Sequence, residues 1–224
     1  MIFSFETWQI TFFSLSVGLA STILILPFGI ALAWLFARKE WPLKSAIETM
    51  VLLPLVMPPV STGLILLKIF GRRSPLGQWL YERGVEIVFN WKGVLIAMAV
   101  MSFPLLVRSV RTSFAEVNPR LEQIAATLGA SGLRIFFVIT IPLAYKGIVA
   151  GALLAFSRAL GEFGATILLA GNIPGQTQTL SLAIYNFVQL GKDPEAYLLL
   201  GVTVVLAFVF VWCSEWLLRS EKKP

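Results

Sequence analysis

Five stretches of this chain are apolar over lengths that can cross a lipid bilayer: residues 9–37, 45–67, 93–110, 147–170 and 196–218. A crossing helix needs about 20 mostly apolar residues, because the hydrocarbon core is about 30 Å thick. Water is absent there, so every backbone N–H and C=O must be satisfied within the protein, and a helix does this unaided. The expected fold class is all-α: a polytopic membrane protein of about five transmembrane helices, one domain over residues 1–224. Charged residues make up only 13% of the chain, against about 25% in soluble domains. Little is left from which to build a water-exposed unit. The flank before Trp8 carries Glu6 and no basic cluster, so the first stretch reads as a retained span rather than a cleaved signal.

The second stretch holds Pro54, Pro58 and Pro59. Each proline removes a backbone donor and clashes with the preceding turn, so one straight helix is ruled out. Broken helices persist at membrane depth only where protein or a water-filled cavity takes up the freed groups. That makes these prolines candidates for a pathway or a helix-packing site. Pro27 and Pro104 are candidates for milder kinks. Lys and Arg set the orientation. With the N-terminus outside, the inner loops hold eleven: Arg38, Lys39, Lys44, Arg108, Arg111, Arg120, Arg134, Lys146, Arg219, Lys222 and Lys223. The outer loops hold six: Lys68, Arg72, Arg73, Arg83, Lys92 and Lys192. The excess favours an outer N-terminus and a cytoplasmic C-terminus. The outer connection 71–92 carries Trp79, Tyr81 and Trp91, residues suited to the membrane interface. A short interfacial helix is expected near 78–83. Residues 171–194 read as the other outer loop, with Asn172, Pro174 and Gly175 as turn residues.

Two charges fall inside the fourth stretch. Arg158 and Glu162 are spaced i, i+4, on one face of a helix. Left alone at the bilayer centre, each would cost about 2.5–3.5 kcal/mol or more, so they are expected to pair. The pair either lines or supports an anion pathway, or locks one helix to another. Gly147, Gly151 and Ala155 form a small-residue row suited to close helix packing. The hydroxyls of Ser157 and Thr166 are expected to bond their own helix.

Several function classes drop out. The chain has no histidine and one cysteine, Cys213, within an apolar run. Histidine acid–base chemistry and an internal disulfide are excluded, and a transition-metal site is disfavoured. No cofactor or metal is expected. The net charge of +6 sits in loops flanking the spans, not in a basic patch interleaved with aromatics, which argues against nucleic acid. No G-x-x-x-x-G-K-[ST] phosphate loop occurs. Glu162 is the one carboxylate deep in a span, which gives little support to an ion-driven carrier. The chain is expected not to be an enzyme, and to take its driving force from elsewhere. An ATP-independent carrier or channel, and a membrane scaffold, are the alternatives from other classes.

One connection is unlike the rest. Residues 118–142 read NPRLEQIAATLGASGLRIFFVITIP. Asn118 is a good N-cap and Pro119 suits the first helical position. Leu121, Ile124, Ala125 and Leu128 fall on one helical face, with Gly129 and Gly132 as stops. An ordered helix outside the bilayer points to contact with another protein.

The spacing in this connection resembles the cytoplasmic motif of permeases from ATP-binding-cassette importers: E-A-A, three residues, G, nine residues, then I-x-L-P. Gln123, Ile124 and Ala125 stand at the E-A-A positions, followed by Gly129, Ile139, Ile141 and Pro142. Gln123 replaces the acid, Ile124 the first alanine and Ile141 the leucine. Glu122, one residue earlier, is the acid available in its place. Three further segments resemble the molybdate-type permeases, with tungstate and sulfate permeases as relatives: LLPLVMPPVSTG (52–63), MSFPLLVRSVRTSF (101–114) and SRALGEFGATILLAGNIPGQTQTLSLAIY (157–185).

The resemblance implies the membrane-spanning subunit of an importer for molybdate or tungstate, with sulfate or thiosulfate as the alternative. It implies two permease copies as a homodimer, two ATPase subunits docked on the 118–142 loop, and an external solute-binding protein. It implies a place in the cell (inner) membrane. The ATPase-coupling residues it selects are Glu122, Gln123, Ala125, Gly129, Ile139 and Pro142.

Overall fold

The computed structural model describes residues 5–219. The described residues form eleven α-helices and one π turn: α1 (Phe5–Arg38), α2 (Lys44–Val56), α3 (Pro59–Phe70), α4 (Pro75–Glu82), α5 (Trp91–Glu116), α6 (Pro119–Thr127), α7 (Gly132–Ile135), the π turn (Phe136–Thr140), α8 (Ile141–Leu160), α9 (Gly164–Leu169), α10 (Leu180–Gln189) and α11 (Asp193–Arg219). Four units are long and apolar enough to cross a membrane: α1, α5, Gly132–Leu160 and Asp193–Leu218. The α2–α3 pair makes a fifth only as a bent unit, turned by 111° at Met57–Pro58. Pro58 caps α3 and Pro59 opens it, while Pro54 lies within α2. Pro27 and Pro104 sit inside unbroken helices.

Helix α5 is the centre. Of its most apolar window 61% is buried, against 11% for α11. It packs on α1 and α8 through Ala33, Phe36, Leu106, Val110, Phe114 and Ala144. In lipid, apolar burial does not by itself drive helices together, so close backbone approach and hydrogen bonds carry the association. A Cβ on Gly147 would overlap the Ser113 hydroxyl, and one on Gly151 would lie 3.0 Å from Ser109 Oγ. The small-residue row is the α8 face that meets α5. Ser214 Oγ donates to Ala150 O at 3.1 Å and holds α11 to α8. Ser14 Oγ accepts from Leu180 N at 2.9 Å and ties α1 to α10.

Three expectations are corrected. The fourth span does not run over 147–170. The helix starts fifteen residues earlier, at Gly132, passes through the π turn, and ends at Leu160. Backbone helical bonding continues wherever the local sequence permits it, in or out of lipid. The region 171–194 is not simply a loop: it contains α10, which is capped by Thr179 and buries Leu180, Leu182, Ala183 and Phe187. Gly132 is not a stop but the first residue of α7, behind Ser131 as N-cap.

Candidate functional site

Helix α6 starts as its sequence dictates. Asn118 Oδ1 accepts from Arg120 N at 3.0 Å, and Pro119 occupies the first turn, where its missing N–H removes nothing. It ends in a Schellman turn: Ala130 N donates to Ala125 O at 3.1 Å and Gly129 N to Ala126 O at 3.0 Å. That turn needs a left-handed residue, and Gly129 has φ +85°. Leu121, Ile124 and Leu128 are exposed, Leu128 by 83%. Gln123 is exposed beside them and Ala125 is half-buried.

Glu122 faces the other way. Its carboxylate lies 3.1 Å from Arg38 Nε at the end of α1, and it accepts from Thr140 Oγ1 in the π turn at 2.7 Å. Arg38 Nη2 also donates to Val117 O at 2.8 Å, on the α5–α6 link. One carboxylate therefore joins α1, α6 and the start of the fourth span. Glu122 is an internal anchor here, its carboxylate turned inward while Gln123 is exposed. Ile139 lies in the π turn and Pro142 in the first turn of α8. The second half of the motif is thus helix, and the connection proper ends at Ser131.

The structure brings Pro59 against Gly164, two residues after Glu162. Helix α3 begins against α9: a Cβ on Gly164 would lie 2.7 Å from Pro59 Cβ, and one on Gly63 2.7 Å from Ala165 Cα. Only glycine allows this approach. Arg158 and Glu162 do pair, Nη1 to Oε2 at 2.9 Å, but not on one continuous helix. Arg158 is in the last turn of α8, Gly161 ends it, and Glu162 stands in the gap before α9. The second carboxylate oxygen of Glu162 accepts from Ala165 N at 2.8 Å. It satisfies an otherwise free amide in the first turn of α9, where a negative charge is favoured. Thr166 does not bond its own helix: its hydroxyl and that of Thr62 are buried without a partner. Among the described residues no three His, Cys, Asp or Glu side chains converge on a metal-sized site.

A family model described as "binding-protein-dependent transport system inner membrane component" matches residues 25–220. The chain belongs to that family. It is thus a multi-pass membrane transport component of known kind. Among curated relatives of this transport component, the molybdenum transport system permease protein ModB of Escherichia coli K12 is 44% identical over 225 residues, covering 100% of this chain and 98% of the relative. The ModB of Haemophilus influenzae is 45% identical over 212 residues, covering 94% and 93%. The E. coli sulfate transport system permease protein CysT is 33% identical over 185 residues, covering 83% and 67%. In fold, the transport component resembles the MetNI methionine ABC transporter, with TM-score 0.71, 16% identity, and coverage of 97% and 95%. A bacterial alginate ABC transporter matches with TM-score 0.73 and 18% identity, covering 98% of this chain and 81% of that one.

Sequence reasoning missed Arg38 and Thr140 as partners of Glu122, and the Val117 carbonyl as a second acceptor for Arg38. Their signal is faint: an arginine at the end of one span and a threonine at the start of another, with 84 residues separating Arg38 from Glu122. The helix break at Glu162 had a signal, the glycines Gly161 and Gly164 on either side of the acid.

Proposed function

We propose that this chain is the permease subunit of an ATP-binding-cassette importer for molybdate or tungstate, delivered by an external binding protein. The observation that carries the reading is α6: a capped, anchored helix whose apolar residues Leu121, Ile124 and Leu128 are exposed by 44%, 57% and 83%. Such a face suits a groove on a partner, and the spacing from Gln123 to Pro142 supports an ATPase as that partner. In this reading Gln123, Ala125 and Gly129 meet the ATPase, while Glu122, Ile139 and Pro142 hold the platform behind them. The N-terminus lies outside, the C-terminus and α6 in the cytoplasm. A second copy of the chain completes the pathway. Its support is α2, which has no buried residue in a single copy and exposes Met50 and Val56 by 68% and 82%. Hydrolysis of ATP belongs to the docked subunits.

The test is uptake into proteoliposomes holding this chain with its ATPase and binding protein. Molybdate should enter only with ATP and with all components present. Uptake by the chain alone would sink the importer reading in favour of an ATP-independent carrier. The likeness to CysT supports a second reading, sulfate import. Competition between molybdate, tungstate and sulfate in the same vesicles decides between them.

A further inference from the structure

The gap between α8 and α9 holds a charged group that its neighbours only partly use. Glu162 is 1% exposed and both its oxygens are engaged, by Arg158 Nη1 at 2.9 Å and by Ala165 N at 2.8 Å. Arg158 is different. Its side chain is 28% exposed, and among the described residues its one hydrogen bond runs to Glu162. A guanidinium carries five N–H donors in a planar fork, so most of this one is left open. Arg158 belongs to a partly accessible stripe with Leu154 and Ser157 at helical spacing along α8, continued by the exposed Gly161 that ends the helix. The exposed ring of Tyr185 packs against Phe163 beside it.

Depth follows from the neighbouring helix. The gap lies at the start of α3, whose Pro59 meets Gly164. The twelve residues of α3 then run to its far end at Phe70, about 18 Å away at 1.5 Å per residue. Laid along the membrane normal, that length would be roughly half a bilayer core about 30 Å thick. Open arginine donors at such a depth are costly unless they serve a polar pathway, and intramembrane charges mark ion routes. The unpartnered hydroxyls of Thr62 and Thr166 at the same junction are further polar groups with no apolar role.

Resting on the importer reading above, we propose that the open side of the Arg158 guanidinium is a passing contact for the tetrahedral oxyanion midway along the pathway, with Glu162 as its positioning residue. The fork geometry suits two oxygens of such a dianion. Glu162 fixes the arginine and cancels its charge, so the site is locally neutral. Contact is then favourable enough to draw the anion through and weak enough to release it, as conduction requires.

The test uses the full complex in proteoliposomes, with molybdate uptake and ATP hydrolysis measured together. The paired change Arg158→Gln with Glu162→Gln keeps a hydrogen-bonded couple and removes both charges. The complex should assemble at normal yield, and molybdate moved per ATP should fall at least tenfold. Arg158→Lys keeps the charge without the fork and should retain roughly a third of the normal ratio. An unchanged ratio in the paired variant overturns the proposal. So does loss of assembly in both variants, which would assign the pair a packing role alone. If the unaltered complex hydrolyses ATP yet moves no oxyanion, the transport reading itself fails, independently of Arg158.

Discussion

The anchor beneath α6 gives the sharpest prediction. Glu122→Ala removes the carboxylate that Arg38 and Thr140 share. Both ionic side chains are mostly enclosed, 13% exposed for Arg38 and 18% for Glu122. Breaking a fully buried pair by deleting one partner costs about 3–5 kcal/mol, and an exposed pair is worth at most about 1 kcal/mol. This pair lies between the two. A hydrogen bond to a charged group contributes about 1.5–3 kcal/mol. About 2 kcal/mol is therefore expected from the ion pair, with the Thr140 bond adding to it. Because α6 buries none of its own residues, the loss falls on the placement of α6 rather than on the bundle. The assay is a double-mutant cycle with Arg38→Ala, read as ATPase affinity for the permease in nanodiscs. Each single variant should weaken docking by about 30-fold, from 2 kcal/mol at 1.4 kcal/mol per decade. The double variant should be little worse than either single one. Additive losses, or docking unchanged in Glu122→Ala, would refute the internal-anchor assignment. Thr140→Val should reproduce a smaller part of the loss.

Other perturbations test separate features. Gly129→Val forces a β-branched residue into a left-handed turn at about 1–2 kcal/mol, and should reduce co-purification of the ATPase without altering membrane insertion. Gly129→Asn, which tolerates that conformation, should lose much less. Gly147→Ala should lower the melting temperature through overlap with Ser113, by about 1–3 kcal/mol of overpacking; adding Ser113→Gly should restore most of it, and no restoration would argue against direct contact. Ser14→Ala strands the buried Leu180 amide at about 1–3 kcal/mol, and should loosen α10 in hydrogen exchange while leaving α5 protected.

What could be read from the sequence follows from which interactions are local. Caps and turns are local, so Asn118, Pro119 and Gly129 declared α6 and its end within a dozen residues. The proline-interrupted second stretch declared its own break, because missing donors and ring clashes act on the adjacent turn. The fourth span was misread for a physical reason. Its composition is apolar on both sides of Glu162, so hydropathy averaged over a span runs on where the helix stops. At its other end Arg134 and Lys146 suggested a loop, though the backbone is helical from Gly132. Helix α10, ten residues long, is too short to mark itself as a span, and the turn residues Asn172, Pro174 and Gly175 just before it read as a loop. The Arg38–Glu122–Thr140 tie was beyond local reading altogether, since it exists only once three distant elements are packed.

The π turn at Phe136–Thr140 has a consequence for insertions and deletions. One residue advances an α-helix by about 100°, and the π turn holds an extra residue in its loop of hydrogen bonds. It sets the angular phase between the segment that presents Thr140 to Glu122 and the segment that turns Gly147 and Gly151 toward α5. Deleting a single residue there would leave every side chain downstream chemically intact and yet swing it about 100° out of phase. Only one of the two appointments, with α6 or with α5, could then be kept. Substitutions along this stretch should be tolerated far better than any change in its length.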